Sequence, residues 1–276
     1  MSEHSSDPGS PAHGAHLRRA WLSAGAALLL AALACAARAG ERSAEEILQA
    51  ADAIRNPPGS FSVRLQLTEY RQGRQSANSA LIVYARPSVD SGQYRNLVQF
   101  VAPARDAGKL MLRNGADLWF YDPSRRASVR ISPQQRLLGQ ASNGDVMTTQ
   151  LARDYRAEKV GPELLKDGEG VQRDSLHLRL SALRDDVSYA RVDLWVDAAD
   201  DRPLMARYYS AEDRLLKTAY FRRYETALGR VRPTETVIID GLDGGWVTVM
   251  RSADHATREV PEAWLQRDYL PRFRAQ

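Results

Sequence analysis

From Val187 to Met250 the chain runs as five strand-like segments separated by turns of only a few residues. They are Val187–Asp197, Arg202–Ser210, Arg214–Glu225, Val231–Asp240 and Gly245–Arg251. The breaks between them are polar or glycine-bearing, as in Ala198-Ala199-Asp200-Asp201, Ala211-Glu212-Asp213 and Gly241-Leu242-Asp243-Gly244. Strands this closely spaced have no room for a crossover, so each must pair antiparallel with its neighbour. The result is a long meander, and a meander has a face that something must bury.

The same pattern extends backwards. Phe61, Val63, Leu65 and Leu67 alternate with Ser62, Arg64, Gln66 and Thr68, as expected of a half-buried strand. Gln72-Gly73-Arg74 turns the chain into Ala80–Arg86, and Gln93–Ala102 follows. Lys109–Arg113 and Asp117–Tyr121 flank Asn114-Gly115, a strong hairpin signal, and Ala127–Ile131 comes next. The meander then breaks. Pro133 to Tyr155 reads as helix around Leu137, Leu138, Val146, Met147 and Leu151, interrupted at Ser142-Asn143-Gly144-Asp145, with Asp145 or Asn143 capping its second part. Strands resume at Ala157–Leu165 and Val171–Ser181. A short helix opens this region, with Ser43 and Glu46 at capping-box spacing and Ile47, Leu48, Ala51 and Ile54 as its apolar stripe. A helical turn around Trp264 and Leu265 closes it.

The first 39 residues read as an export leader. Arg18 and Arg19 precede the apolar run Trp21–Ala37, and Ala37-Arg38-Ala39 has the small residues of a cleavage site. Cys35, the single cysteine, lies inside that leader as an ordinary apolar residue or a lipidated one. Residues 40–276 are then expected to form one exported domain without disulfides, stabilised by its core. With 38 Lys and Arg against 34 Asp and Glu, the charge is too even for a nucleic-acid partner. The expected fold is mainly β with a few helices: a curled antiparallel sheet of about eleven strands, an incomplete β-barrel, whose concave face the helices cover. A β-sandwich is the alternative.

Enzyme chemistry finds little support. The sequence holds no HExxH, CxxC, GxSxG or P-loop, and no cofactor is implied. His177 reads as a solvated strand residue and His255 as part of a polar turn. The acidic turn at Asp197, Asp200 and Asp201 lacks the spacing of a calcium loop.

One ordered series of segments resembles a known family. Asp117-Leu118-Trp119-Phe120-Tyr121-Asp122-Pro123, Val129-Arg130-Ile131, Asn143-Gly144-Asp145-Val146-Met147, Arg153-Asp154-Tyr155, Asp193-Leu194-Trp195-Val196-Asp197, Arg202-Pro203-Leu204, Leu215-Leu216-Lys217 and Arg232-Pro233-Thr234 come in the order seen in outer-membrane lipoprotein-sorting proteins. The resemblance is to the branch similar to LolA and covers residues 43–275. It implies a half-closed barrel in the periplasm, plugged by helices, which carries acyl chains in an apolar cavity. It also implies lipid or lipoprotein acyl chains as cargo and an inner-membrane transporter of the lipid-exporting type as partner. LolA itself latches its lid helices with an arginine, and no arginine here is matched to it.

Enclosure has a physical rationale: carrying hydrocarbon through water costs about 0.8 kcal/mol per exposed methylene. The candidate wall residues are Leu65, Leu67, Val98, Phe100, Met111, Trp119, Tyr121, Leu194, Val196, Val237 and Ile239, with Leu138, Met147 and Leu151 from the insert. Each is equally suited to plain core packing. Trp119 and Trp195 are the expected fluorescent reporters of lipid. A monomeric carrier is the leading reading. The other is a binding module that senses lipid or mislocalised protein, for which a second domain is expected and no length is left after the last strand.

Overall fold

The computed structural model describes residues 42–274, and from Ala44 onward these form one structural unit. The leader and Cys35 lie outside the described residues. Helix α1 (Ala44–Arg55) buries Ile47, Leu48 and Ala51 of the expected stripe and adds Ala44, while Ile54 is only half-buried. Six strands follow: β1 (Phe61–Arg71), β2 (Arg74–Pro87), β3 (Tyr94–Ala102), β4 (Leu110–Asn114), β5 (Asp117–Asp122) and β6 (Ala127–Arg130). After the insert come β9 (Tyr155–Lys166), β10 (Gln172–Ala182), β11 (Arg191–Asp197), β12 (Pro203–Tyr209), β13 (Leu215–Ala227), β14 (Arg230–Asp240) and β15 (Trp246–Thr257). Gln72-Gly73 and Leu228-Gly229 have positive φ at both residues, the conformation of two-residue hairpin turns.

These thirteen strands form one antiparallel sheet, larger than the eleven expected from sequence, in the order β6-β5-β4-β3-β2-β1-β15-β14-β13-β12-β11-β10-β9. Only β1 with β15 pairs segments distant in sequence. The sheet does not close, because β6 and β9 are its edges and do not pair. It is nevertheless strongly curled. In a flat sheet β4 and β9, ten places apart, would lie roughly 50 Å from each other. Instead Arg113 of β4 lies 4.0 Å from Asp154, the residue immediately before β9.

The helical reading of Pro133–Tyr155 is corrected. The segment forms a small hairpin, β7 (Arg136–Leu138) with β8 (Ala141–Ser142), then a 3-10 turn at Asn143–Val146 and one helical turn at Leu151–Asp154. Leu137 and Leu138 are adjacent and make no helical stripe, and Gly139 has a φ of 54°. The amides of Asn143 and Gly144 donate to the carbonyls of Gln135 and Pro133, bonds that a helix would direct elsewhere. Asp145 accepts from the Ser142 amide at 2.7 Å and caps nothing further along. The helical turn is instead capped from a distance, with the Ala152 amide donating to Asp52 of α1 at 2.9 Å. The cover of the inner face is therefore one helix and one mostly irregular insert.

Three apolar clusters follow from this topology. Cross-strand neighbours Val63, Val83, Val98, Met111 and Phe120 share the inner face with Leu65, Leu81 and Phe100, packed against the insert. Leu178, Leu180, Val192, Leu194 and Val196 lie under α1. On the outer face, Tyr84, Leu97, Leu112 and Trp119 form a second cross-strand row, covered by Trp264, Leu265, Leu270 and Phe273 of the C-terminal 3-10 turns.

Candidate functional site

The curl of the sheet and its cover leave a cavity of about 190 Å³ on the inner face. Its floor comes from consecutive inward rows: Phe61, Val63 and Leu65 of β1, Met250, Ser252 and His255 of β15, Arg232, Thr234, Thr236 and Ile238 of β14, Ala219 and Phe221 of β13, and Tyr208 of β12. Its roof comes from Arg55 at the end of α1, from Asn56 and Pro57 just after it, and from Asp145, Val146, Met147, Thr148 and Leu151 of the insert. Arg113 and Tyr155 bring in β4 and β9, so strands from both sides of the sheet meet here.

The roof is tied down by polar contacts. Asn96, wholly buried on β3, accepts from the Thr148 amide at 2.9 Å and donates to its carbonyl at 3.0 Å. Asn56 donates to the Thr149 carbonyl at 2.8 Å. Asp154 sits between Arg113 and Arg184, 3.0 Å from the latter. At one end Lys217 of β13 donates to the Gln140 carbonyl at 3.1 Å and pairs with Asp145, which also accepts from the Tyr189 hydroxyl at 2.7 Å. Burial draws the Lys217 pKa down while the Asp145 carboxylate opposes it, and burial raises that of Tyr189. A broken buried pair leaves an uncompensated charge, so this end of the roof is firmly held.

At the other end Arg232 is 2 % exposed. Its Nη1 donates to the carbonyls of Ala53 and Ile54 in the last turn of α1, at 3.3 and 2.8 Å, and its Nε donates to Ala227 at 3.0 Å. A cation there also meets the negative end of the helix dipole.

Of the residues singled out by sequence, Leu65, Met147 and Leu151 line the cavity. Leu67, Val98, Phe100, Met111 and Leu138 share its inner face but are packed against one another and the insert. Leu194 and Val196 lie under α1. Trp119 and Tyr121 point outward, beneath the C-terminal turns. Val237 and Ile239 also face outward, since Thr236 and Ile238 line the cavity and side chains alternate. Trp195 lies on the outer face, opposite His177, so neither expected reporter tryptophan borders the cavity.

Both histidine readings are corrected. His177 is not solvated: its ring stacks on Trp195 with centroids 4.3 Å apart, between Glu163 and Asp193. His255 belongs to β15, where the register slips near Asp254, a residue with φ of 52°. That bulge turns His255 inward to the cavity, a reversal that simple alternation misses.

An unclosed antiparallel sheet with a pinned roof over an inner cavity defines a half-barrel fold. A LolA superfamily protein from Nitrosomonas europaea is 31% identical, covers 83% of this chain and 100% of its own, and superposes with a TM-score of 0.74. The chain belongs to the LolA superfamily. Two more distant structures share the fold. An outer membrane lipoprotein-sorting protein domain from Vibrio parahaemolyticus is 20% identical, with 83% and 98% of the two chains covered and a TM-score of 0.69. A DUF1329 family protein from Desulfovibrio piger is 21% identical, with 82% and 97% covered and a TM-score of 0.69. A family model described as an uncharacterized protein matches residues 92–272. No curated protein is matched by the chain.

Proposed function

We propose that the protein is a periplasmic carrier that takes acyl chains of a lipid or lipoprotein into the inner cavity and hands them between membrane components. The observation that supports this most is the cavity itself, bounded by five neighbouring strands and two curled-in ones and by a roof held through side chains. A void of about 150 Å³ suffices for benzene, whereas drug-sized ligands occupy roughly 300–1,000 Å³. At about 190 Å³ the site takes a short length of hydrocarbon as it stands. A full acyl chain requires the roof to lift, which breaks the ties of Asn96, Asp154, Lys217 and Arg232 and leaves the sheet intact.

The test is native mass spectrometry of protein prepared without detergent. Retained acyl lipid is the expected result, and its return to stripped protein should perturb tyrosine signals, since Tyr155, Tyr189 and Tyr208 border the cavity. Repeated preparations with no lipid and no uptake would overturn the reading.

A further inference from the structure

Four Lys and Arg side chains border the cavity, and three have a carboxylate of this chain beside them. Arg55 has Asp52 at 3.0 Å, Arg113 has Asp154 at 4.0 Å, and Lys217 has Asp145. Arg232 is the exception: its hydrogen bonds go to the carbonyls of Ala53, Ile54 and Ala227, and among the described residues it has no ion-pair partner. Its Nη2 is buried and has no acceptor. A guanidinium cannot shed its proton in a protein, and an ion taken out of water costs several kcal/mol unless it is compensated. The end of α1 offers about half a negative charge. Roughly half a positive charge and one donor nitrogen are left over.

Basic groups crowd this corner, and the carboxylates nearest it, Glu225 opposite Arg232 on β13 and Asp254 at the β15 bulge, make no ion pair with Arg232 among the described residues. His255 borders the same cavity, and burial together with the Arg232 charge holds its pKa below the ordinary 6.5. Arg230 presses on Arg232 in the same sense. The nearby Tyr94 hydroxyl is committed to the Pro57 carbonyl at 2.5 Å. From this basic corner the inward row of β14 runs through Thr234 and Thr236 to Ile238, about 20 Å along the strand. Val63, Leu65, Met250 and Ala219 flank that row. One end of the cavity is thus a cationic corner, and apolar side chains flank the threonine-bearing row that leads from it.

We propose that the cavity selects an amphiphile with a single acidic head, whose carboxylate or phosphate oxygen is received by Arg232 while its hydrocarbon lies along Val63, Leu65, Met250 and Ile238. This rests on the carrier reading and narrows it to a class of cargo. A charge-assisted bond to a buried guanidinium is stronger than a neutral one, and it also removes the standing cost of the unpaired ion.

The test is calorimetric titration of the full chain with dodecanoate, dodecyl phosphate, dodecanol and dodecyltrimethylammonium, each below its micelle concentration. The wild-type protein should bind at least one of the two anions tenfold or more tightly than dodecanol, and the cation most weakly. Whichever anion leads supports the proposal and tells carboxylate from phosphate. Arg232→Gln, checked for folding by circular dichroism, should bring anion and alcohol to similar affinity. Equal binding of anions and dodecanol by wild-type protein overturns the head site and leaves the carrier reading standing. An anion preference that survives in Arg232→Gln also overturns it. No binding of any of the four overturns both.

Discussion

Arg232 Nη1 lies 2.8 Å from the carbonyl oxygen of Ile54, which joins β14 to the last turn of α1 across 178 residues of sequence. The contact makes the helix part of the roof, because the inner sheet face holds its end directly.

Replacing Arg232 by Leu should loosen that end. The lost bonds to Ala53 and Ile54 outweigh the relief of burying a charge by about 1–2 kcal/mol. Amides in the last turn of α1 should then exchange hydrogen about tenfold faster, while those of β1 and β2 keep their protection. Unchanged exchange in α1 would show that Arg232 does not hold the helix.

Lys217→Met should be costly, because it strands the Asp145 carboxylate among Tyr189, Ser142 and the buried Gln140. A loss of about 3–5 kcal/mol in denaturant unfolding is expected. The double variant Lys217→Met with Asp145→Asn should recover a substantial part. If the two losses simply add, Lys217 and Asp145 are not coupled.

Ala219→Phe separates a cavity from a filled core. Ala219 is 2 % exposed and borders the cavity. A phenyl group forced into close packing typically costs 1–3 kcal/mol, whereas one entering a cavity of this size should leave the melting temperature unchanged or higher. Co-purified lipid should fall sharply in the same variant. Full lipid retention by a well-folded Ala219→Phe protein would count against the site.

His255 should titrate below its ordinary 6.5 in the folded protein, because burial and Arg232 both disfavour its charged form. The unfolded chain then takes up the proton first as pH falls. Stability present at neutral pH is lost as pH drops through 6.5 toward the lower folded value. NMR titration of the imidazole reads the shift, and His255→Gln should flatten the stability slope over that window. A folded value at or above 6.5 would contradict the half-buried placement beside Arg232.

Most of the strands were legible because they combine a period-2 pattern with a turn bearing Gly, Asp or Asn, and these two signals are local, although the count expected, about eleven, fell short of the thirteen found. Which way each strand faces was less so. In Val237-Ile238-Ile239 three apolar residues in a row carry no alternation, and the inward one is Ile238. In β5 both faces are apolar, because Leu118 and Phe120 pack inward while Trp119 and Tyr121 meet the returning C-terminal turns. That return involves contacts over a hundred residues away, such as Asn114 with the Leu265 carbonyl, and no local pattern announces them. The insert defeated a helical reading for a similar reason, since its cap is Asp52 and its backbone bonds close a hairpin. The polar lining of the cavity was missed altogether, because a search for wall residues by hydrophobicity passes over Arg232, Lys217 and His255.

Leaving β6 and β9 unpaired has a consequence for the size of guest the protein can admit. In a closed barrel, strand number and stagger dictate the circumference, and widening it means tearing a seam of main-chain bonds. Here β6 and β9 carry no main-chain pairing to each other, so girth is a softer coordinate, set by side-chain bridges such as that from Arg113 of β4 to Asp154. The molecule can breathe like a cupped hand, with its fingers spreading while every knuckle stays intact.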